Sequence, residues 1–320
     1  MPRVTTGARL HFGFVNLSLA RPQLYGGLGL ALAEPRVTVE AAPADGVEAP
    51  PQVATFAERA VALLEVPGAE VRLVEQFPRH VGLGSGTQLA LATLTAIASA
   101  HGLAANSRRR APDLGRGGRS GIGVATFEDG GFVLDGGHPT DLFTTGRPAD
   151  GEWTVPPVAA RHAIPDDWRF LLVRPSIEIG RNGGGEEASI RAVVEAADPE
   201  VADDVARIAV QQLLPAIARG DGAAFGAAAG RINRLNGSWY VDEQEGVYRP
   251  PVGAVVERLS EAPAVFGAGQ SSWGPTVWGV TTASQAEAAT TAGHDALKTA
   301  GVDGDVSVVA GRNSGATVEE

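Results

Sequence analysis

The sequence predicts a mixed fold of strands and helices, long enough for one large domain or two ordinary ones. Three observations carry that expectation. The 320-residue chain opens on a run with apolar residues at Leu10, Phe12 and Phe14, the period of a half-buried strand. Pro78–Ala92, PRHVGLGSGTQLALA, then joins an apolar run to an amphipathic helix through a loop of glycines and hydroxyls. The second half reads strand, helices, two strands, helix, strand, close to a ferredoxin-like split βαβ order.

Taken in order, residues 3–19 form the first expected strand. A turn at Tyr25–Leu30 enters a second strand, and Pro35–Ala41 makes a third. The proline- and acid-rich Pro43–Pro51 is a loop. Val53–Leu64 places apolar residues on one helix face. Val71–Phe77 is a strand leading into the glycine loop, and Leu89–His101 is a helix stopped by Gly102. A second glycine-rich loop, Leu114–Gly123, precedes Val124–Phe127 and Gly131–Asp135, expected as a hairpin across Asp129-Gly130. The loop-rich stretch 144–157 is the best boundary, which sets the domains at 1–165 and 166–320. In the second domain a strand at Arg169–Arg174 is followed by a loop, Ile177–Ala188. Helices are expected at Val201–Ala218, Gly222–Leu235 and Val252–Leu259. Strand Ala264–Phe266, loop Gly267–Trp273, strand Thr276–Val280, helix Ser284–Ala300 and strand Val306–Val309 follow. Val318–Glu320 is read as a short tail.

Composition narrows the chemistry. Net charge is −11, against a nucleic-acid partner, which needs a basic face. No apolar run reaches membrane-spanning length and the N-terminus lacks a signal core, so a cytoplasmic location and no membrane partner are expected. The absence of cysteine excludes disulfides and thiolate catalysis. Six histidines without a His-x-x-x-His pair argue against zinc. Lys298 is the one lysine among 26 basic residues, so a lysine-dependent mechanism has little to draw on.

In the first glycine loop, Gly82, Gly84, Ser85, Gly86, Thr87 and Gln88 lead into a helix whose first N–H groups lack intrahelical partners. Such an end favours an anion, usually phosphate. The loop is neither a Walker A motif nor a dinucleotide fingerprint. The second loop adds Arg116 and Arg119, suited to bidentate contact with phosphate. Asp135 and His138 end a strand, where catalytic groups often sit, although Asp-Gly-Gly-His also makes a plain turn. His11, among apolar neighbours in a strand, reads as a hydrogen-bonded core histidine rather than a base. Glu186 and Glu187 follow three glycines, either as a solvated loop or as ligands for magnesium. Gln270, Ser271, Ser272 and Trp273 lie between two strands, in a loop able to close against a ligand held by the first domain.

These stretches carry a resemblance. Gly82–Thr87 is similar to the phosphate loop of the GHMP kinase superfamily (galactokinase, homoserine, mevalonate and phosphomevalonate kinases), and Gly267-Ala268-Gly269 resembles its C-terminal glycine motif. GLGSGTQ at 82–88, GRGGRSGIG at 115–123, GFVLDGG at 131–137 and GQSSWGPT at 269–276 together resemble one branch, the β-ribofuranosylaminobenzene 5′-phosphate synthases. The resemblance runs from about Thr5 to about Val309. It implies an α+β, two-domain fold, with a ribosomal protein S5 domain 2-like N-terminal domain and a ferredoxin-like C-terminal domain. It also implies a cleft between them and a reaction at the start of methanopterin synthesis. There, a ring carbon of 4-hydroxybenzoate or 4-aminobenzoate displaces diphosphate from phosphoribosyl diphosphate, and carbon dioxide leaves.

On that reading 82–88 hold the diphosphate, Arg119 and Ser120 a phosphate end, and Gln270–Trp273 close over the sugar or ring. Asp135 and His138 are the candidate catalytic pair, Mg2+ the expected cofactor with Glu186 a candidate ligand, and a homodimer the candidate assembly. Where the branch favours an aspartate and an arginine, this chain has Asn16 and Gln23. A kinase using ATP is the alternative, and a non-catalytic binder of phosphate esters the third reading.

Overall fold

The computed structural model describes residues 1–142, 149–177 and 184–320, with the side chains of 184–188 left aside. The first half is built on two long antiparallel strands, β1 (Arg3–Asn16) and β2 (Gln23–Pro43). The chain continues through β3 (Val47–Glu48), α1 (Ala54–Leu64), β4 (Ala69–Glu75), α2 (Ser85–Ala100), α3 (Ser107–Arg110) and α4 (Ile122–Asp129). Strands β5 (Phe132–Asp135), β6 (His138–Pro139) and β7 (Val158–His162) follow. The second half runs β8 (Trp168–Pro175), α5 (Gly184–Ala196), α6 (Pro199–Ile208), α7 (Leu214–Arg219), α8 (Gly222–Trp239), α9 (Val241–Gln244) and α10 (Val252–Ser260). It ends with β9 (Gly267–Gln270), β10 (Val277–Thr282), α11 (Ala286–Ala300), β11 (Gly304–Ala310) and β12 (Thr317–Glu319).

The first sheet runs β12-β1-β2-β4-β3, and β2 also pairs with β5, which pairs with β7. The second sheet runs β11-β8-β10-β9, all antiparallel. Numbered within its own half, that order is 4-1-3-2, the ferredoxin-like arrangement. Phe12 from β1, Phe132 from β5, Phe225 from α8 and Trp278 from β10 meet edge to face in one continuous core. The two halves therefore share buried aromatic surface.

Several expectations are corrected. The expected second and third strands are one strand, β2, which continues through Pro35 because its two ends pair with different stretches of β1. Val124–Phe127 is helix, not the first arm of a hairpin. Its residues are buried on all sides, so periodicity could not choose, and Gly123 lets the helix lie against Thr87. The loop expected at Ile177–Ala188 gives way to helix from Gly184. The expected helix over 201–218 starts at Pro199, capped by the Asp198 carboxylate, and passes through a π-turn at Ala209–Leu213. Gly267–Gln270 is a strand rather than a loop, because Gly226 and Gly267 let α8 and β9 approach closely. The expected tail is a strand that returns to pair with β1, covering its edge.

That close approach has a measurable consequence. A Cβ on Gly267 would lie 1.9 Å from the Gly226 carbonyl oxygen, a backbone atom that cannot yield. Gly267→Ala is expected to cost about 3 kcal/mol in chemical denaturation. Gly46→Ala, where the added carbon meets nothing within 4 Å, should stay within about 0.5 kcal/mol of the parent.

Candidate active site

The glycine loop owes its shape to two left-handed positions, Gly82 (φ 90°) and Gly84 (φ 78°). Gly84 precedes the first residue of α2, and no acidic side chain occupies the first turn of that helix. Its N-terminal dipole is thus left uncompensated from within. Positive charge gathers there. Arg9 donates from Nη1 to the Gly82 carbonyl at 2.8 Å. The Arg116 guanidinium lies over Gly86, 3.1 Å from where a Cβ would be, and 5.2 Å from the Phe56 ring centre. Burial, then Arg79 and Arg116, hold the His80 imidazole below its usual range, so it favours the neutral form.

Not every residue of the motif faces outward. Gln88 is buried, accepts from the Thr6 hydroxyl at 2.7 Å and donates to the Gly123 carbonyl at 3.0 Å. Its amide fastens α2 to β1 and α4. Ser85 is buried at the start of α2, and Thr87 is half-buried against Gly123.

The second glycine loop is fixed by the two residues expected as catalytic. Asp135 is 1% exposed and accepts from Gly121 N–H at 2.8 Å, Gly137 N–H at 3.0 Å and the Ser120 hydroxyl at 3.3 Å. Burial raises its pKa, and N–H groups of Gly27, Gly137 and Gly121 oppose that rise. His138 Nε2 lies 2.7 Å from the Gly118 carbonyl. Both side chains therefore engage the loop that carries Arg119 and Ser120, which are half-buried. Glu186 falls in the first turns of α5, and its side chain is not among those described. Among those described, no three carboxylate or imidazole groups converge to hold a cation.

His11 does more than fill a core. Its Nε2 lies 3.2 Å from Ser120 Oγ, and its backbone N–H donates to Ser271 Oγ at 3.2 Å. Burial, reinforced by Arg9, depresses its pKa to about 3, so the imidazole is neutral. It also lines a cavity of about 60 Å³ between β1, α8 and the end of β9, with Phe14, Tyr240, Gln270 and Trp273. Trp273 meets Tyr240 edge to face at 4.8 Å. Sequence spacing gave no sign of this; a histidine in an alternating strand looks the same in any core.

Two asparagines on one face of α8 set the cavity wall. Asn233 donates to the carbonyls of Phe12 (2.7 Å) and Gln270 (2.9 Å) and accepts from Gln270 N–H at 2.9 Å. Asn236 accepts from Phe14 N–H at 2.6 Å and donates to its carbonyl at 2.8 Å. These residues were missed from sequence.

The Gln270–Trp273 turn is not a separate lid. Ser271 donates to the Gly82 carbonyl at 2.8 Å and Thr276 to the Val81 carbonyl at 2.6 Å, fixing the turn to the glycine loop. Ser272 is exposed, at φ 56°. Asn16 donates to the carbonyls of Ser18 (2.8 Å) and Gln23 (2.7 Å), which an acceptor-only aspartate could not do. Gln23 itself is exposed.

The neutral His11 makes stability depend on pH. Above pH 6.5 both states are neutral; as pH falls below 6.5 the unfolded chain takes up a proton that the folded chain refuses until about 3. Stability should therefore fall on acidification, by about 1.4 kcal/mol per pH unit from this residue. Denaturation at pH 7, 6 and 5 should show a shallower slope for His11→Gln, and equal slopes would contradict a buried neutral imidazole.

Comparison with known proteins agrees with the geometry. Residues 52–131 match the GHMP kinases N terminal domain and residues 213–298 the GHMP kinases C terminal domain. The chain is 33% identical over 294 residues to the β-ribofuranosylphenol 5′-phosphate synthase of Methanothermobacter thermautotrophicus, covering 87% of this chain and 88% of that protein. The enzyme of that name from Archaeoglobus fulgidus is 32% identical over 88% of each chain. The fold is also that of homoserine kinase from Cytophaga hutchinsonii (TM-score 0.63, 17% identity, 99% and 96% coverage). L. major mevalonate kinase in complex with R-mevalonate shares it too (TM-score 0.67, 13% identity, 97% and 96% coverage). The chain belongs to the β-ribofuranosylphenol 5′-phosphate synthase family, a branch of the GHMP kinase superfamily.

Proposed function

We propose that the protein joins phosphoribosyl diphosphate to 4-hydroxybenzoate or 4-aminobenzoate, releasing diphosphate and carbon dioxide, at the start of methanopterin synthesis. One observation carries the reading. A helix N-terminus flanked by arginines and a neutral aromatic cavity meet at Ser271, which bonds to the loop of the first and adjoins the wall of the second. An anionic leaving group and an electron-rich ring call for that pair of environments side by side.

In this reading the N–H groups at the start of α2 and the Arg9 and Arg116 guanidiniums take the diphosphate, stabilising charge as it leaves. Arg119 and Ser120 take the 5′-phosphate. The ring carbon bearing the carboxylate attacks the anomeric carbon as the bond to diphosphate breaks. The bond to carboxylate then breaks, its electron pair restores the ring, and carbon dioxide departs. No ring proton has to be removed, so the chemistry balances without a general base. A buried Asp135 and a His138 bonded to a carbonyl fit positioning of the Arg119–Ser120 loop. Magnesium bound with phosphoribosyl diphosphate would supply charge neutralisation for the departing diphosphate, and the side chain of Glu186, its candidate ligand, is not among those described.

The test is incubation of the purified protein with phosphoribosyl diphosphate and carboxyl-labelled 4-hydroxybenzoate. Diphosphate and labelled carbon dioxide should appear in equal amounts. ADP formed from ATP in response to an added alcohol, with no carbon dioxide, would instead establish the kinase reading. Arg116→Ala should lower kcat/KM for phosphoribosyl diphosphate by about 10- to 100-fold. Calorimetric titration should show a matching loss of diphosphate affinity in Arg116→Ala, and unchanged affinity would remove that residue from the anion site.

A further inference from the structure

We propose that residues 149–157 form a strap across the second glycine loop, and that Trp153 within it is a positioning residue for Arg116. The proposal deepens the synthase-like reading, on which it rests for the identity of the anion that Arg116 meets.

Three glycines of that loop face the strap. A Cβ on Gly117 would lie 2.8 Å from a Val155 methyl, and one on Gly118 3.0 Å from the Trp153 ring. One on Gly121 would lie 3.0 Å from the Pro156 carbonyl oxygen. These positions therefore admit a second stretch of chain at close range. The strap is anchored at both ends. Arg59 donates to the Asp150 carboxylate at 2.6 Å, and Gly151 N–H to the Pro112 carbonyl at 3.0 Å. At the far end Arg108 donates to the Pro156 carbonyl at 3.0 Å, and Gly136 N–H to the Pro157 carbonyl at 2.8 Å.

Between those anchors Trp153 reaches the loop. Its indole N–H donates to the Arg116 carbonyl at 3.4 Å, while its ring lies over Gly118. The bonds that Asp135 and His138 make to the loop end at Gly118, Ser120 and Gly121. Arg116 is held from elsewhere. Its own N–H donates to the Ala111 carbonyl at 2.8 Å, so the peptide units on both sides of its Cα are fixed, one of them by Trp153. From that backbone the guanidinium extends over Gly86 at the start of α2, with the Phe56 ring centre 5.2 Å away. An arginine held at its backbone and at its head loses less freedom when an anion binds. Trp153 thus raises anion affinity through Arg116.

Calorimetric titration of the full chain with inorganic diphosphate tests this by comparing two backgrounds. Trp153→Phe keeps a ring over Gly118 and removes the N–H. It should weaken diphosphate binding about fivefold in the wild-type background and leave affinity unchanged in the Arg116→Ala background. An equal loss in both backgrounds, or no loss in the wild-type background, would overturn the proposal. Gly118→Ala, which presses a methyl against the indole from the other side, replaces Trp153→Phe if that variant does not fold, with the same two outcomes. A loss confined to the wild-type background, in a protein that releases no diphosphate from phosphoribosyl diphosphate with 4-hydroxybenzoate, would leave the strap standing and sink the synthase reading. Turnover with equal losses would sink the strap alone. A wild-type protein that does not bind diphosphate would overturn both.

Discussion

The hydrogen bonds of two buried asparagines hold the site together. Asn236 pairs with both the N–H and the carbonyl of Phe14, as a neighbouring strand residue would, and Asn233 bridges Phe12 to Gln270. One face of α8 thereby ties β1 of the first sheet to β9 of the second. The approach depends on Gly13, where a Cβ would lie 2.5 Å from the Asn236 carboxamide. Buried amides that satisfy backbone groups in this way fix one arrangement, because any shift leaves several partners unmet at once.

From that tie the rest follows by contact. β9 ends in Gln270, and the next residue, Ser271, joins the Gly82 carbonyl to the backbone of His11. The glycine loop is thus held from the second half of the chain, and its position at the start of α2 is set by the same strand that walls the cavity. On the other side, Asp135 gathers the backbone of the 120–121 turn and Ser120, whose hydroxyl also lies against His11. Burial raises the pKa of this carboxyl, and the N–H groups around it oppose that rise. The two halves of the site are joined by hydrogen bonds at Ser271 and Ser120, buried or partly buried.

The coarse architecture could be read from the sequence because glycine loops and strand periods are local signals. The first glycine loop, the helix behind it and the order of elements in the second half all follow from spacing. What escaped depends on contacts distant in sequence. Val124–Phe127 is β-prone by composition, yet packing against Thr87 and anchoring by Asp135 make it helical. Gly267–Gln270 looks like a loop because three of its residues are small; only the close fit to α8 makes it a strand. Gln88 sits in the motif but is consumed by Thr6 and Gly123. His11, Asn233 and Asn236 carry no spacing that distinguishes them from ordinary core or helix-surface residues. Asn16 is the converse case: a departure from the branch's pattern whose physical role, two donors to backbone, became visible only in the turn it closes.

In the proposed function the anion and the ring occupy adjoining sites across Ser271. Inter-ligand nuclear Overhauser effects test it most directly, with 4-hydroxybenzoate and a non-reactive phosphoribosyl diphosphate analogue bound together. Cross-peaks are expected between the ring protons beside the carboxylate and the anomeric proton, with none from the protons beside the hydroxyl. Mutual displacement of the two ligands, or simultaneous binding with contacts from the hydroxyl end, would contradict it.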